Sequence, residues 1–436
     1  MPAPVPPPPS PPLAAVEDAP SEQPVSGAGH RLRITLLMAG SCLPILGAVL
    51  IAPVLPRMRD HFAGTPGVEA LVPMALTIPA LSLALLAPFA GVVVDRLGRK
   101  RLLVIATALY AVVGTAPLWL DSLGAIVASR ALVGAVEAAI MTCCTTLIGD
   151  YYSGRQRDRY LAMQTMCASI SATAFFVLGG AAGSAGWRTP FWAYAVSLLL
   201  APAMAAFLPR PRPTGTTTVP SSVAPADPTT VPAPTPAPAA SSEPAGRSFP
   251  WRPLAGTCAL TVFGAVLFYT VQVEMAFLLD DMGVTDPGTI GLAIAASSLA
   301  TVIGAVVFTR LGRTPDAWLP AVFALCALGF AVIWLAPGPV VLTVGAMINC
   351  FGGGIMLPSL LTLALSKLDY ADRGRGTGLW TGSFFIGQFV CPLVVLALTS
   401  AVGSLAGALG VLALAGSVGA VALGLAGRRR VPLTAS

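Results

Sequence analysis

The sequence predicts an all-α membrane protein of twelve transmembrane helices, arranged as two pseudo-symmetric six-helix bundles. Three observations carry that prediction. Hydrophobic residues make up 55% of the chain, charged residues only 10%, and the mean hydropathy is +0.80, which marks a polytopic membrane protein rather than a water-soluble core. Twelve apolar runs follow one another, each long enough to cross ~30 Å of hydrocarbon at about 1.5 Å per residue. The basic residues fall in alternate loops between those runs.

The runs, numbered here as spans 1 to 12, are 33–55, 71–94, 102–120, 123–148, 160–182, 191–208, 254–279, 289–309, 317–335, 340–366, 376–398 and 404–426. With both termini cytoplasmic, 21 of the 25 Lys and Arg residues lie in cytoplasmic segments. The outer loops hold only Arg57, Arg59 and Arg188, and Arg130 lies within span 4. Basic loops stay on the cytoplasmic side, so this bias sets the expected topology. It also accounts for the net charge of +6 without a nucleic-acid partner, because the charges sit in short loops. Arg outnumbers Lys 23 to 2, and Ala, Gly and Pro abound, a composition associated with GC-rich bacteria. The expected location is a bacterial cytoplasmic (inner) membrane, with the lipid bilayer as surroundings and a monomer as the unit.

Residues 1–30 carry ten prolines and no basic n-region, so a disordered tail is expected over 1–31 rather than a signal peptide. Residues 209–250 hold twelve prolines among Thr, Ser and Ala. Such a segment cannot pack a core and reads as an extended cytoplasmic linker. It divides a first bundle, 32–208, from a second, 251–427, with 428–436 as a cytoplasmic tail. The eight cysteines all lie inside apolar runs without C-x-x-C spacing, so they read as small buried hydrophobes. No metal cluster, nucleotide-binding loop, cofactor motif or catalytic constellation is present in the sequence, which argues against an enzyme and against an ATP-driven mechanism.

Between spans 2 and 3 the chain reads Gly91-Val-Val-Val-Asp-Arg-Leu-Gly-Arg-Lys100. About seven polar residues join the two runs, so they are antiparallel neighbours. Asp95 closes span 2 at the negative end of its own helix, where an acid needs an Arg or another helix's N-terminus as partner. Gly91 and Gly98 allow close approach and a tight turn. Arg96, Arg99, Lys100 and Arg101 hold the loop on the cytoplasmic side. At these residues the chain resembles the major facilitator superfamily, whose signature loop reads G-x-x-x-D-R-x-G-R-K/R. The resemblance implies secondary transport of a small molecule by alternating access, with the substrate site at midplane between two six-span halves. It further implies a cytoplasmic gate, with Asp95 facing span 11 near Gly376 and Arg155 or Arg157 as partner.

An internal repeat supports the same family. Val92-Val-Val-Asp-Arg-Leu-Gly-Arg99 aligns with Val306-Val-Phe-Thr-Arg-Leu-Gly-Arg313, with Thr309 in place of Asp95. Asp150-Tyr151 with Arg155 and Arg157 is echoed by Asp369-Tyr370 with Arg373 and Arg375.

Span 4 resembles the motif of twelve-span drug:proton antiporters, in which an Arg precedes a Gly by four residues; here these are Arg130 and Gly134. An Arg in hydrocarbon must face an aqueous cavity or a partner, or else bond the carbonyls of a neighbouring helix. Span 5 departs from the exporter pattern, because Phe175 and Phe176 occupy its Gly-Pro positions. Span 11 carries Gly387-Gln-Phe-Val-Cys-Pro392 instead, so Gly387 and Pro392, like Gly134, are read as helix-packing positions.

Glu137 in span 4 and Glu274 in span 7 are the carboxylates within spans. Glu137 follows Arg130 by seven residues, so both lie on one helical face with Glu137 ~10 Å deeper, near midplane. Glu274 lies ~9 Å from the outer end of span 7, close to the depth of Arg130. An acid at such depth suits reversible protonation near neutral pH. Glu137 is therefore the expected proton carrier. Glu274 is expected to be a gate or a ligand for cationic substrate, and a pair with Arg130 in one state. The best reading is proton-coupled efflux of a drug-like or metabolite compound. An uptake permease or uniporter is the second reading. A transport-silent sensor or scaffold ranks below both, since the tails and linker are too poor in apolar residues to fold.

Overall fold

The computed structural model describes residues 27–209, 251–310, 315–369 and 372–428. The predicted linker, most of the N-terminal tail and the last eight residues lie outside the described residues. The described residues form twelve helical segments long and apolar enough to cross a membrane, and no strand.

Span 1 runs as Gly27–Val49 and continues through the 3-10 turn Ala52–Val54 into Leu55–His61. Arg57 and Arg59 thus sit on a helical extension rather than in a loop. Span 2 is Val68–Leu97 and span 3 is Arg99–Thr115. Only Gly98 separates them, at φ +81°, a conformation that costs glycine nothing. The turn is shorter than the sequence suggests because the helix of span 2 continues past Asp95 to Leu97. Span 4 is Leu123–Tyr151, span 5 Gly154–Gly183, and span 6 the 3-10 stretch Thr189–Val196 leading into Ser197–Phe207. In the second half, spans 7 to 12 are Trp251–Asp281, Pro287–Arg310, Pro315–Trp334, Pro339–Ser366, Arg373–Val402 and Leu405–Arg428.

Lipid tails are as apolar as leucine, so membrane helices associate through close packing at small residues. The same pair of helices shows this in each half. In the first, Gly134 of span 4 lies on the backbone of Pro79 in span 2, where an added Cβ would meet Pro79 Cα at 2.5 Å and its carbonyl carbon at 2.7 Å. In the second, Gly354 of span 10 packs on the Thr301 backbone of span 8. The sequence repeat is therefore matched by a repeat in packing. Gly387 likewise brings span 11 against span 7, beside Ala265 and Val262.

The two halves meet along spans 5 and 8 and along spans 2 and 11. Gly180 of span 5 faces Gly291 of span 8 backbone to backbone. Thr173 donates to Ser298 at 3.0 Å, and Ser184 donates to Asp286 at 3.2 Å. Arg59 forms an ion pair with Asp280 at 3.0 Å. All three polar links lie between mid-depth and the end poor in arginine, opposite the end that carries Lys100, Arg157 and Lys367. Asp286 also accepts from the Thr289 N–H and hydroxyl, at 2.8 and 2.9 Å, and so caps span 8. Those bonds hold its carboxyl below the usual carboxylate range.

The Gly134 crossing is testable by size. Gly134→Ala must push the span 2 backbone away, because no flexible side chain can yield there, and should cost about 1–3 kcal/mol. Gly378→Ala, on span 11 with nothing within 4 Å of the added carbon, should be neutral. Thermal unfolding of both proteins in detergent checks the contrast.

Candidate functional site

The site is built on span 4. Its face carrying Arg130 and Glu137 is turned into the first bundle, where both side chains are buried, at 0% and 2% exposure. A guanidinium without water must satisfy its donors within the protein. Arg130 does so on three helices. Its Nε donates to the Ala75 carbonyl of span 2 at 3.1 Å, and its Nη1 to the Tyr194 hydroxyl of span 6 at 2.6 Å. Its Nη2 donates to the Gly47 carbonyl of span 1. The guanidinium carbon also stands 5.4 Å from the centre of the Tyr194 ring. Carbonyls already used in a helix retain a second lone pair, which is what Arg130 takes.

Gly47 is the meeting point. Arg130 holds its carbonyl, and the Glu137 carboxyl lies against its Cα, so closely that any side chain there would collide with Glu137 Oε1. Tyr110 of span 3 closes the same space. Its hydroxyl donates to the Leu43 carbonyl at 2.5 Å, and its ring lies 5.1 Å from that of Tyr194. No ion pair joins Arg130 to Glu137, and Glu137 Oε1 is buried without a hydrogen-bond partner. The result is a buried acid beside a cation each of whose three nitrogens donates a hydrogen bond.

Glu274 lies elsewhere. It is 5% exposed and lines a cavity of about 280 Å³ between the bundles, with Arg59, Glu69, Phe277, Asp281 and Thr399. In this conformation Arg130 bonds within its own bundle and not to Glu274. Pro392 also lines this cavity.

At the arginine-rich end, the surroundings of Gly91 and the side chain of Asp95 lie outside what is described. Arg96, Arg155 and Arg157 are exposed. Arg99 forms an ion pair with Asp150, tying the start of span 3 to the end of span 4. Gly98 supplies the turn between spans 2 and 3.

Sequence reasoning missed three of the residues around Arg130: Gly47, Tyr110 and Tyr194. Two tyrosines in apolar runs, each with a hydroxyl to satisfy, are the unread signal for the last two. His30, in the first turn of span 1, meets the Tyr160 hydroxyl of span 5 with its ring at 2.7 Å. In the second half, Tyr269, Trp380 and Phe384 form a half-buried aromatic wall, with Trp380 and Phe384 stacked at 5.8 Å.

Residues 37–392 match the family described as the Major Facilitator Superfamily. The chain belongs to that family. As a major facilitator transporter it is 30% identical over 169 residues to the class C tetracycline resistance protein of Escherichia coli, a match covering 37% of this chain and 41% of that one. The chain thus spans less than half the length of that relative. It is 23% identical to the uncharacterised transporter YdgK of Bacillus subtilis, over 85% of this chain and 90% of YdgK. Its fold is similar to a bacterial homologue of the human lysosomal transporter Spinster, in an inward-facing and occupied conformation. The TM-score is 0.73 at 15% identity, covering 93% of this chain and 98% of that one. Family and fold are those of transporters, with no catalytic activity indicated.

The Arg130 contacts predict an ordered loss of stability in this transporter. Tyr194→Phe removes one acceptor of a buried charge and should cost about 1.5–3 kcal/mol. Arg130→Lys cannot span three acceptors with a point charge and should cost more than Tyr194→Phe. Melting of the purified variants reads the order.

Proposed function

We propose that this transporter exports a small, partly apolar organic compound in exchange for protons, by alternating access of its two bundles. The observation that carries the reading is Glu137: a carboxyl deep in the first bundle, next to a fixed cation, with one oxygen unpartnered. Burying an ionised carboxylate without a partner is costly, so the proton on such a group responds to whether water reaches it. Opening of the bundle toward one side of the membrane changes that access. Relatives named for tetracycline and multidrug resistance support export of drug-like compounds.

Both termini are placed in the cytoplasm, on the arginine-rich side of a bacterial inner membrane. In that orientation, the Arg59–Asp280 pair and the Thr173–Ser298 and Ser184–Asp286 bonds close the outer side. The site then opens toward the cytoplasm, the loading state of an exporter. Asp95, together with Arg96, Arg99, Arg155 and Arg157 of the same end, is the gate that closes the cytoplasmic side in the opposite state. The 209–250 segment tethers the halves, and the protein works as a monomer. Uptake is the second reading, favoured by Phe175 and Phe176 where exporters of this type carry Gly-Pro. The buried Phe176 presents its carbonyl to Gly291 across the bundle interface, so this change lies where the halves move against each other.

Inverted vesicles loaded against a pH gradient test the coupling. Glu137→Gln should abolish uphill, uncoupler-sensitive accumulation while preserving substrate exchange at equal pH. Unchanged pH dependence of uphill transport in both Glu137→Gln and Glu274→Gln would contradict proton carriage by either. The gate has its own test. Asp95→Asn should insert normally and cycle more slowly, whereas wild-type transport rates at equal expression would remove Asp95 from the gate.

A further inference from the structure

The cavity that holds Glu274 lies at the arginine-poor end, between spans 1 and 2 of one bundle and spans 7, 11 and 12 of the other. Its charges do not balance. Glu69, Glu274 and Asp281 line it against a single cation, Arg59, whose guanidinium is already committed to Asp280 at 3.0 Å and stacked over the Phe277 ring at 5.2 Å. Glu274 is 95% buried and, among the described residues, makes no hydrogen bond or ion pair. Across from it on span 11, the Thr399 hydroxyl is also buried without a hydrogen-bond partner. A nearly buried carboxyl and an unpartnered hydroxyl, lining one cavity from spans 7 and 11, suit a ligand that donates hydrogen bonds and carries positive charge.

A metal ion does not fit. Among the described residues no three His, Cys, Asp or Glu side chains are grouped to hold one. The rest of the wall is mostly apolar, with Pro73, Val395 and Leu405, beside the polar Ser404. That combination of one deep carboxylate, a hydroxyl and apolar walls suits a charged nitrogen on a short hydrocarbon body. We propose that this cavity is a binding site for a compact organic ammonium ion, reached from the arginine-poor side. Its N–H groups donate to Glu274 and Thr399, and its alkyl body lies against Val395 and Leu405. Because the walls come from both bundles, an occupant holds spans 2 and 11 together at this end and favours the conformation described here. The site is separate from the Gly47 cluster and does not depend on proton carriage by Glu137.

The test is equilibrium binding to the purified full-length protein in detergent, with no gradient imposed. The probe is butylammonium chloride, compared with sodium chloride at equal ionic strength and with butanol. Saturable binding is expected for butylammonium alone, with a raised unfolding temperature. Glu274→Gln should weaken it by about tenfold or more, the loss expected for one charge-assisted hydrogen bond. Thr399→Val should weaken it less. Leu405→Trp, which fills the cavity without touching its charge, should abolish it. Glu137→Gln, inactive in uphill transport under the proton mechanism, should bind as the wild type does, so failure of that mechanism leaves this site standing. Butylammonium binding no better than sodium or butanol overturns the proposal. So does unchanged affinity in either Glu274→Gln or Leu405→Trp when the variant melts as a folded protein.

Discussion

A guanidinium at 0% exposure within a membrane helix sets the terms for the rest of the first bundle. Arg130 cannot be hydrated, and so the chain must supply its acceptors. Ala75, Gly47 and Tyr194 do this from spans 2, 1 and 6. Each bond fixes the depth and rotation of one helix relative to span 4. The space that a side chain on Gly47 would take is occupied by Glu137, which any such side chain would displace. The position of the candidate proton group is thus a consequence of how the arginine is satisfied.

Close backbone contact is the second constraint, and it serves two purposes. Within each half it holds helices together, at Gly134 on Pro79 and at Gly354 on Thr301. Between the halves, Gly180 and Gly291 bring the two bundles into backbone contact, while a few polar links at one end join them. An ion pair such as Arg59–Asp280, with each side chain partly exposed, is worth little in isolation. That weakness suits a contact that breaks under the proposed alternating access.

Much of this was legible in the sequence because membrane insertion leaves a strong signal. Twelve apolar runs, alternate basic loops and the repeat around Asp95 and Thr309 specify the architecture, and Gly98 marks a turn that only glycine makes easily. Helical periodicity alone puts Arg130 and Glu137 on one face. Periodicity does not say what that face meets. Similar depth made Glu274 a plausible partner for Arg130, but depth fixes one coordinate only, and the rotation of spans 1, 2 and 6 supplied nearer acceptors. Arg59 read as a loop residue because the apolar run ends before it, whereas the helix continues beyond the run and carries it to Asp280.

The account turns on whether Glu137 binds and releases a proton while Arg130 stays charged and in place. Infrared difference spectroscopy on the purified protein, stepping between acidic and alkaline pH, observes that directly through the C=O stretch of a protonated carboxyl. The account predicts a band that shifts in heavy water, disappears at alkaline pH, and is absent from Glu137→Gln but present in Glu274→Gln. A difference spectrum identical in wild type and Glu137→Gln would show that this carboxyl does not titrate and would contradict the account.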